Sequence, residues 1–185
     1  MFYSVDVETG HTIPQPGALL TVGIVAVDKV IDDWVKVDSL YLHLAYNEEV
    51  FDEDTLENFW KDDEKVSEEA RKEAFDWSLS RLHPASAAVM ISEFVSQYSA
   101  QKDSIFVANP ASFDHAWIDM LFASSGLKIP FSHRTLCLRS MQFGMVGGDY
   151  GGSRSENNNK PDIPHHALYD ALAQADDLID MLNLL

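Results

Sequence analysis

The chain of 185 residues is 46% hydrophobic with a formal net charge of −17: enough apolar material for a sizeable core, and too acidic to grip nucleic acid through a basic footprint alone. The single cysteine, Cys137, excludes an internal disulfide and a thiolate zinc cluster and fits a reducing, cytoplasmic setting. The chain does not open on a basic segment followed by an apolar one, and no apolar run approaches about 18 residues, so neither a signal peptide nor a membrane partner is expected.

In chain order, Phe2 to Thr9 predicts a β-strand rich in aromatic and β-branched residues. Asp6 and Glu8 stand two apart on it, and the period of a strand sends both carboxylates to one face. On a central strand such a pair repels unless a cation lies between, and hard divalent ions such as Mg²⁺ or Mn²⁺ favour oxygen ligands of this kind. On an edge strand the same pair would simply be wet. Ala18 to Asp28 and Trp34 to Tyr46 predict two further strands, joined by connections short enough for an antiparallel meander.

Beyond Asp52 the pattern becomes helical. Asp54-Thr55-Leu56-Glu57 resembles a helix start with Leu56, Phe59 and Trp60 as its buried stripe, and Ser67 to Leu79 predicts an acidic, solvated helix. Pro84 opens a third helix with Val89, Ile91, Phe94, Val95 and Tyr98 at apolar spacing. Ile105 to Ala108 reads as a buried strand ending at Asn109-Pro110, followed by a helix that Ser112 would cap and Gly126 would close. After a strand end and short helix between Arg134 and Phe143, Gly147 to Pro164 has the composition of a mobile loop. A final helix from His165 to Leu184 carries Leu168, Leu172, Ala175, Ile179 and Leu182 toward the core, with Asp176, Asp177 and Asp180 on a wet face, Asp177 being also, two turns from Asp170, a candidate neighbour of that acid. The order implies one α/β domain, a mixed sheet covered by helices.

Charge is uneven along this order. From Glu48 to Glu73 twelve acidic residues face four basic ones, whereas from Gly126 to Lys160 five basic face two acidic, so a polyanion should meet the second region. Asp114 opens the helix after the fourth strand and Asp170 lies in the first turns of the last helix; alone, either is explained by the helix dipole. His115 and His133 read as surface or packing residues.

Taken together, Asp6-x-Glu8-Thr9-Gly10, Asn109-Pro110-Ala111-Ser112-Phe113-Asp114 and His165-x-x-x-x-Asp170 resemble, in order, the three exonuclease motifs of the DnaQ-like superfamily, in the DEDDh class with a ribonuclease H-like fold. The Leu56 to Trp60 helix and the Asn-Pro-x-x-Phe-Asp form of the second motif are similar to the small mycobacterial exoribonucleases and phage exonuclease A. The resemblance implies a single exonuclease domain over 1–185 that shortens single-stranded RNA or DNA from the 3′ end with two divalent ions, Mg²⁺ or Mn²⁺. It also implies the roles. Asp6, Glu8 and Asp170 would hold one ion, Asp6 would bridge to the second, and Asp114 would act through water. His165 would take the proton of the attacking water, a task suited to an imidazole. Thr9 and Gly10 would hold the terminal sugar; Asn109 and Phe113 belong to the substrate side, with Phe113 packing beneath the site. Sites of this kind are sometimes completed by a partner subunit, so a homodimer is compatible with it.

Helix geometry alone favours His166, four residues before Asp170, whereas the family spacing favours His165. Pro164 places His165 on a loop outside regular helix, which with the family spacing assigns the base to His165 rather than His166. Two other classes of function remain distinct from hydrolysis: an acidic mimic of nucleic acid, and a non-catalytic nucleic-acid binding module. Loss of hydrolysis with a chelator separates both from an enzyme.

Overall fold

In the computed structural model, residues 1–15, 17–76, 78–99, 103–146 and 159–184 are described. Five strands form one sheet in the order β3-β2-β1-β4-β5. Strands β1 (Phe2–Thr9), β2 (Leu19–Val30) and β3 (Asp33–His43) are successive antiparallel neighbours, the expected meander. Strands β4 (Ile105–Ala108) and β5 (Thr135–Cys137) join in parallel. β1 is therefore central, the position in which its acid pair is costly without a counter-charge.

The alternation along β1 divides the core. Tyr3, Val5 and Val7 face a cluster built with helices α3 (Pro84–Ser99) and α4 (Ala111–Ser124). The other face meets α6 (Ala167–Asn183), whose Ala171, Ala175 and Leu178 pack with Val25, Val27 and Val107, and Ser4 Oγ donates to Ala171 O at 2.9 Å. Because both faces are covered, β2 is almost continuously buried, whereas β3 at the sheet edge is largely exposed or half-buried. Gly23 on β2 is required by this packing: a Cβ there would lie 2.3 Å from Ala167 O, so only hydrogen lets the start of α6 rest on the sheet.

Several local expectations are corrected. The segment at Asp52 is not one regular helix: a short α1 (Glu53–Thr55), capped by Asp52, continues as a π-helical turn, Leu56–Trp60, that buries Trp60 and leaves Leu56 and Phe59 half-buried. α2 (Glu68–Phe75), capped by Ser67, buries Ala70 and Ala74 and turns its acids outward, as predicted. On α3 the small Ala87 and Ala88 meet the sheet in place of Val89, which is 43% exposed. Ser112 does not cap α4; the helix begins one residue before it, with Pro110 at the cap. Its end is as expected: Gly126 takes φ 66°, and the amides of Gly126 and Leu127 bond Ala123 O and Phe122 O. α5 (Leu138–Val146) follows β5 directly. Most of the expected mobile loop, 147–158, lies outside the described residues. No helix among the described residues is long and apolar enough to cross a membrane.

Candidate active site

The strand period does what the sequence requires of it: Asp6 and Glu8 project together to the α6 side of β1. Asp170, one turn into α6, meets them there, held by the His166 amide, which donates to its Oδ2 at 3.1 Å. Asp6, Glu8 and Asp170 each offer an oxygen within 4.8 Å of the others. Asp114 arrives from α4. β4 pairs with β1 only as far as Ser4, which leaves the Val7 amide without a strand partner on that side, and it donates to Asp114 Oδ1 at 3.1 Å. That bond, rather than the helix dipole alone, accounts for the buried acid at the start of α4.

Burial first, and then the neighbouring acids, hold Asp6 and Glu8 well above the usual carboxylate range. For Asp6 the neighbours are Asp114, Asp170 and Glu8; for Glu8 they are Asp170 and Asp114. Asp114 is pushed up to about 7 by burial, against the lowering effect of the Val7 amide. Four acids crowded this closely do not ionise together without positive charge among them. The all-oxygen set of half-buried Asp6 and buried Glu8 and Asp170 therefore fits a hard divalent cation such as Mg²⁺ or Mn²⁺.

The acids line a cleft of about 540 Å³. His165 lies on its wall at φ 62°, outside α6, with its ring 4.8 Å from that of Phe59. His166 points elsewhere: it is 7% exposed, stacked 4.6 Å from Tyr41, and does not line the cleft. The helical spacing argument for His166 fails because His166 is the N-cap of α6, with extended backbone at φ −120°, so a same-face rule does not apply to it.

The substrate-side residues divide. Thr9 and Asn109 line the cleft, although the Thr9 hydroxyl is turned to His11 O at 2.8 Å and its carbonyl accepts from Trp60 Nε1 at 2.8 Å. Gly10 does not line it; a Cβ there would strike Phe51 at 2.5 Å, so its role in the fold is close packing. Phe113 does not pack beneath the acids but stands 36% exposed on the cleft wall. Asp177 is neither wet nor in the cleft: it is buried and accepts from the Asn159 amide at 2.8 Å. Sequence reasoning missed Lys65, the one Lys or Arg among the described residues lining the cleft, and Gln174, which donates to Asp6 Oδ1 at 2.7 Å. Gln174 stands four residues after Asp170 on the same helical face, the one signal that could have found it.

Similar proteins agree with this geometry. Residues 1–180 match the 3′-5′ exoribonuclease Rv2179c-like domain. The chain is 30% identical over 199 residues to the 3′-5′ DNA exonuclease Cap18 of Escherichia coli, covering 99% of this chain and 93% of that one. Its fold is similar to the nuclease domain of 3′hExo, a DEDDh family member bound to rAMP, with a TM-score of 0.61 at 10% identity over 98% of this chain and 91% of that one. It is also similar to E. coli exonuclease I in complex with a dA16 oligonucleotide, with a TM-score of 0.60 at 12% identity over 99% of this chain but only 40% of the longer relative. A mixed five-stranded α/β sheet, an acid cluster on its central strand and a match along almost the whole chain place this protein in the Rv2179c-like 3′-5′ exoribonuclease domain family.

Proposed function

We propose that residues 1–185 act as one domain that removes nucleotides from the 3′ end of single-stranded RNA or DNA and releases nucleoside 5′-monophosphates by a two-metal mechanism. The observation that carries this reading is the convergence of Asp6, Glu8 and Asp170 within 4.8 Å in a cleft that also holds Asp114 and His165. Asp6, Glu8 and Asp170 would hold one divalent ion, and Asp6, with Asp114 acting through water, would serve a second. Bound there, Mg²⁺ or Mn²⁺ would supply the positive charge that lets an anionic nucleophile approach an anionic phosphodiester.

The chain's own residues do the rest. His165 accepts the proton of the attacking water at the cleft wall, and its position outside α6 leaves it free of helical geometry. Phe113 and Asn109 flank the terminal nucleotide, with Thr9 beside the acids and Gly10 holding the turn behind it close against Phe51. A family described by exoribonuclease activity and a relative named as a DNA exonuclease support either sugar. The test is a 5′-labelled single strand, as RNA and as DNA, incubated with Mg²⁺. A descending ladder that a chelator abolishes is the expected result. Equal cutting of a circular single strand would overturn the exonuclease assignment.

A further inference from the structure

We infer that Gln174 is a positioning residue for Asp6, whose amide clamps one carboxylate oxygen so that the acid presents a fixed edge to the divalent cation. The inference rests on the metal-dependent reading above. Gln174 is 1% exposed on α6 and faces β1 one turn beyond Asp170. Its Nε2 donates to Asp6 Oδ1 at 2.7 Å, while its Oε1 is buried without a hydrogen-bond partner among the described residues.

That asymmetry is informative. A buried acceptor left without a donor destabilises a fold, and Leu or Met of similar volume would fill the same space with no such cost. Against the ionised carboxylate that a bound cation requires, flipping the amide would set oxygen against oxygen, acceptor to acceptor, so the orientation is the one that serves the charged acid. Once Oδ1 is tethered, rotation about the Asp6 Cβ–Cγ bond is arrested. An untethered carboxylate among three other acids would instead swing away from them.

A purely structural pin is the competing explanation, and the fold provides its control. Ser4, two residues earlier on the same face of β1, donates to Ala171 O, three residues earlier on α6. That bond fastens the same strand to the same helix without touching an acid. If Gln174 only fastens α6, removing either bond has the same effect.

The experiment compares the native chain with Gln174→Met, Gln174→Asn and Ser4→Ala. Thermal unfolding is followed while Mg²⁺ is titrated, Mn²⁺ binding is measured by calorimetry, and kcat and KM are obtained on a single-stranded oligonucleotide. Gln174→Met should leave metal-free stability equal to or above native and move the metal midpoint to about 10- to 100-fold higher concentration, the range for losing a residue that orients a metal ligand. Its kcat should fall with KM for the oligonucleotide nearly unchanged. Gln174→Asn keeps the amide but is one carbon too short to reach Asp6, so it should lose metal affinity in the same way even where the Met variant folds poorly. Ser4→Ala should lower stability and leave the metal midpoint in place. A native metal response that both Gln174 variants retain unchanged overturns the inference and leaves the enzyme reading standing. A native chain with no metal response overturns the metal reading, and the inference with it.

Discussion

The close approach at Gly23 offers the sharpest test of how the fold aligns its acids. Gly23 pairs with Asp6 across the β1–β2 ladder, and a Cβ at Gly23 would sit 2.3 Å from Ala167 O and 2.5 Å from Leu168 N. Cβ atoms essentially never approach another heavy atom closer than 3.0 Å, and the obstacle is helix backbone, which cannot rotate aside. In Gly23→Ala the start of α6 must therefore withdraw by roughly 0.7 Å or more, carrying Asp170 and the His165 turn away from Asp6 and Glu8. Displacement on the 1 Å scale costs a reaction about 10²-fold, because the reacting atoms leave the near-attack geometry. Overpacking of this kind also costs about 1–3 kcal/mol of stability. Single-turnover hydrolysis of a 5′-labelled oligonucleotide at saturating Mg²⁺ reads the first effect, and thermal unfolding reads the second as a fall of about 2–12 °C. Hydrolysis within about threefold of native in a variant whose melting temperature has fallen would refute the idea that this contact sets the alignment of the acids.

Other outcomes follow from the same site. Asp6→Asn should abolish turnover yet leave the metal-free fold as stable or slightly more so, since one member of a repelling group is neutralised; Mg²⁺ should raise the melting temperature of the native chain but not of this variant, and an equal rise in both would place the metal elsewhere. His165→Ala should lower the hydrolysis rate about 10²- to 10⁴-fold, whereas His166→Ala, which removes a buried ring stacked on Tyr41, should lower stability more than rate. The reverse ranking would refute the choice of base. In chelator, stability should fall as pH rises: the folded-state pKa values of Asp6, Glu8 and Asp114 are raised, so the folded state binds more protons than the unfolded state above the ordinary carboxylate range. The loss should run from about pH 4, where unfolded carboxylates ionise, through the Asp114 value of about 7, and saturating Mg²⁺ should flatten it. Metal-free stability that climbs across that window would show that the acids are not crowded.

Features that depend on near neighbours in the chain were legible in the sequence. The pairing of Asp6 with Glu8 on one face follows from the strand period, the Gly126 closure of α4 from the tolerance of glycine for positive φ, and the docking of α6 from its apolar spacing. The motif order made the gathering of Asp114 and Asp170 around that pair an expectation although more than a hundred residues separate them from it. Tertiary structure alone decided the contacts that make the gathering work. Nothing local marks Gly23 as the place where α6 rests or Val7 as having an amide left for Asp114, and the spacing of Gln174 from Asp170 does not by itself reveal that its amide reaches Asp6. The two histidines show the boundary most clearly. Residues adjacent in sequence separate once one sits at φ 62° and the next at φ −120°, so one ring enters the cleft and the other stacks on Tyr41. Periodicity is a property of one element, whereas burial, partner and direction depend on which distant element closes over it.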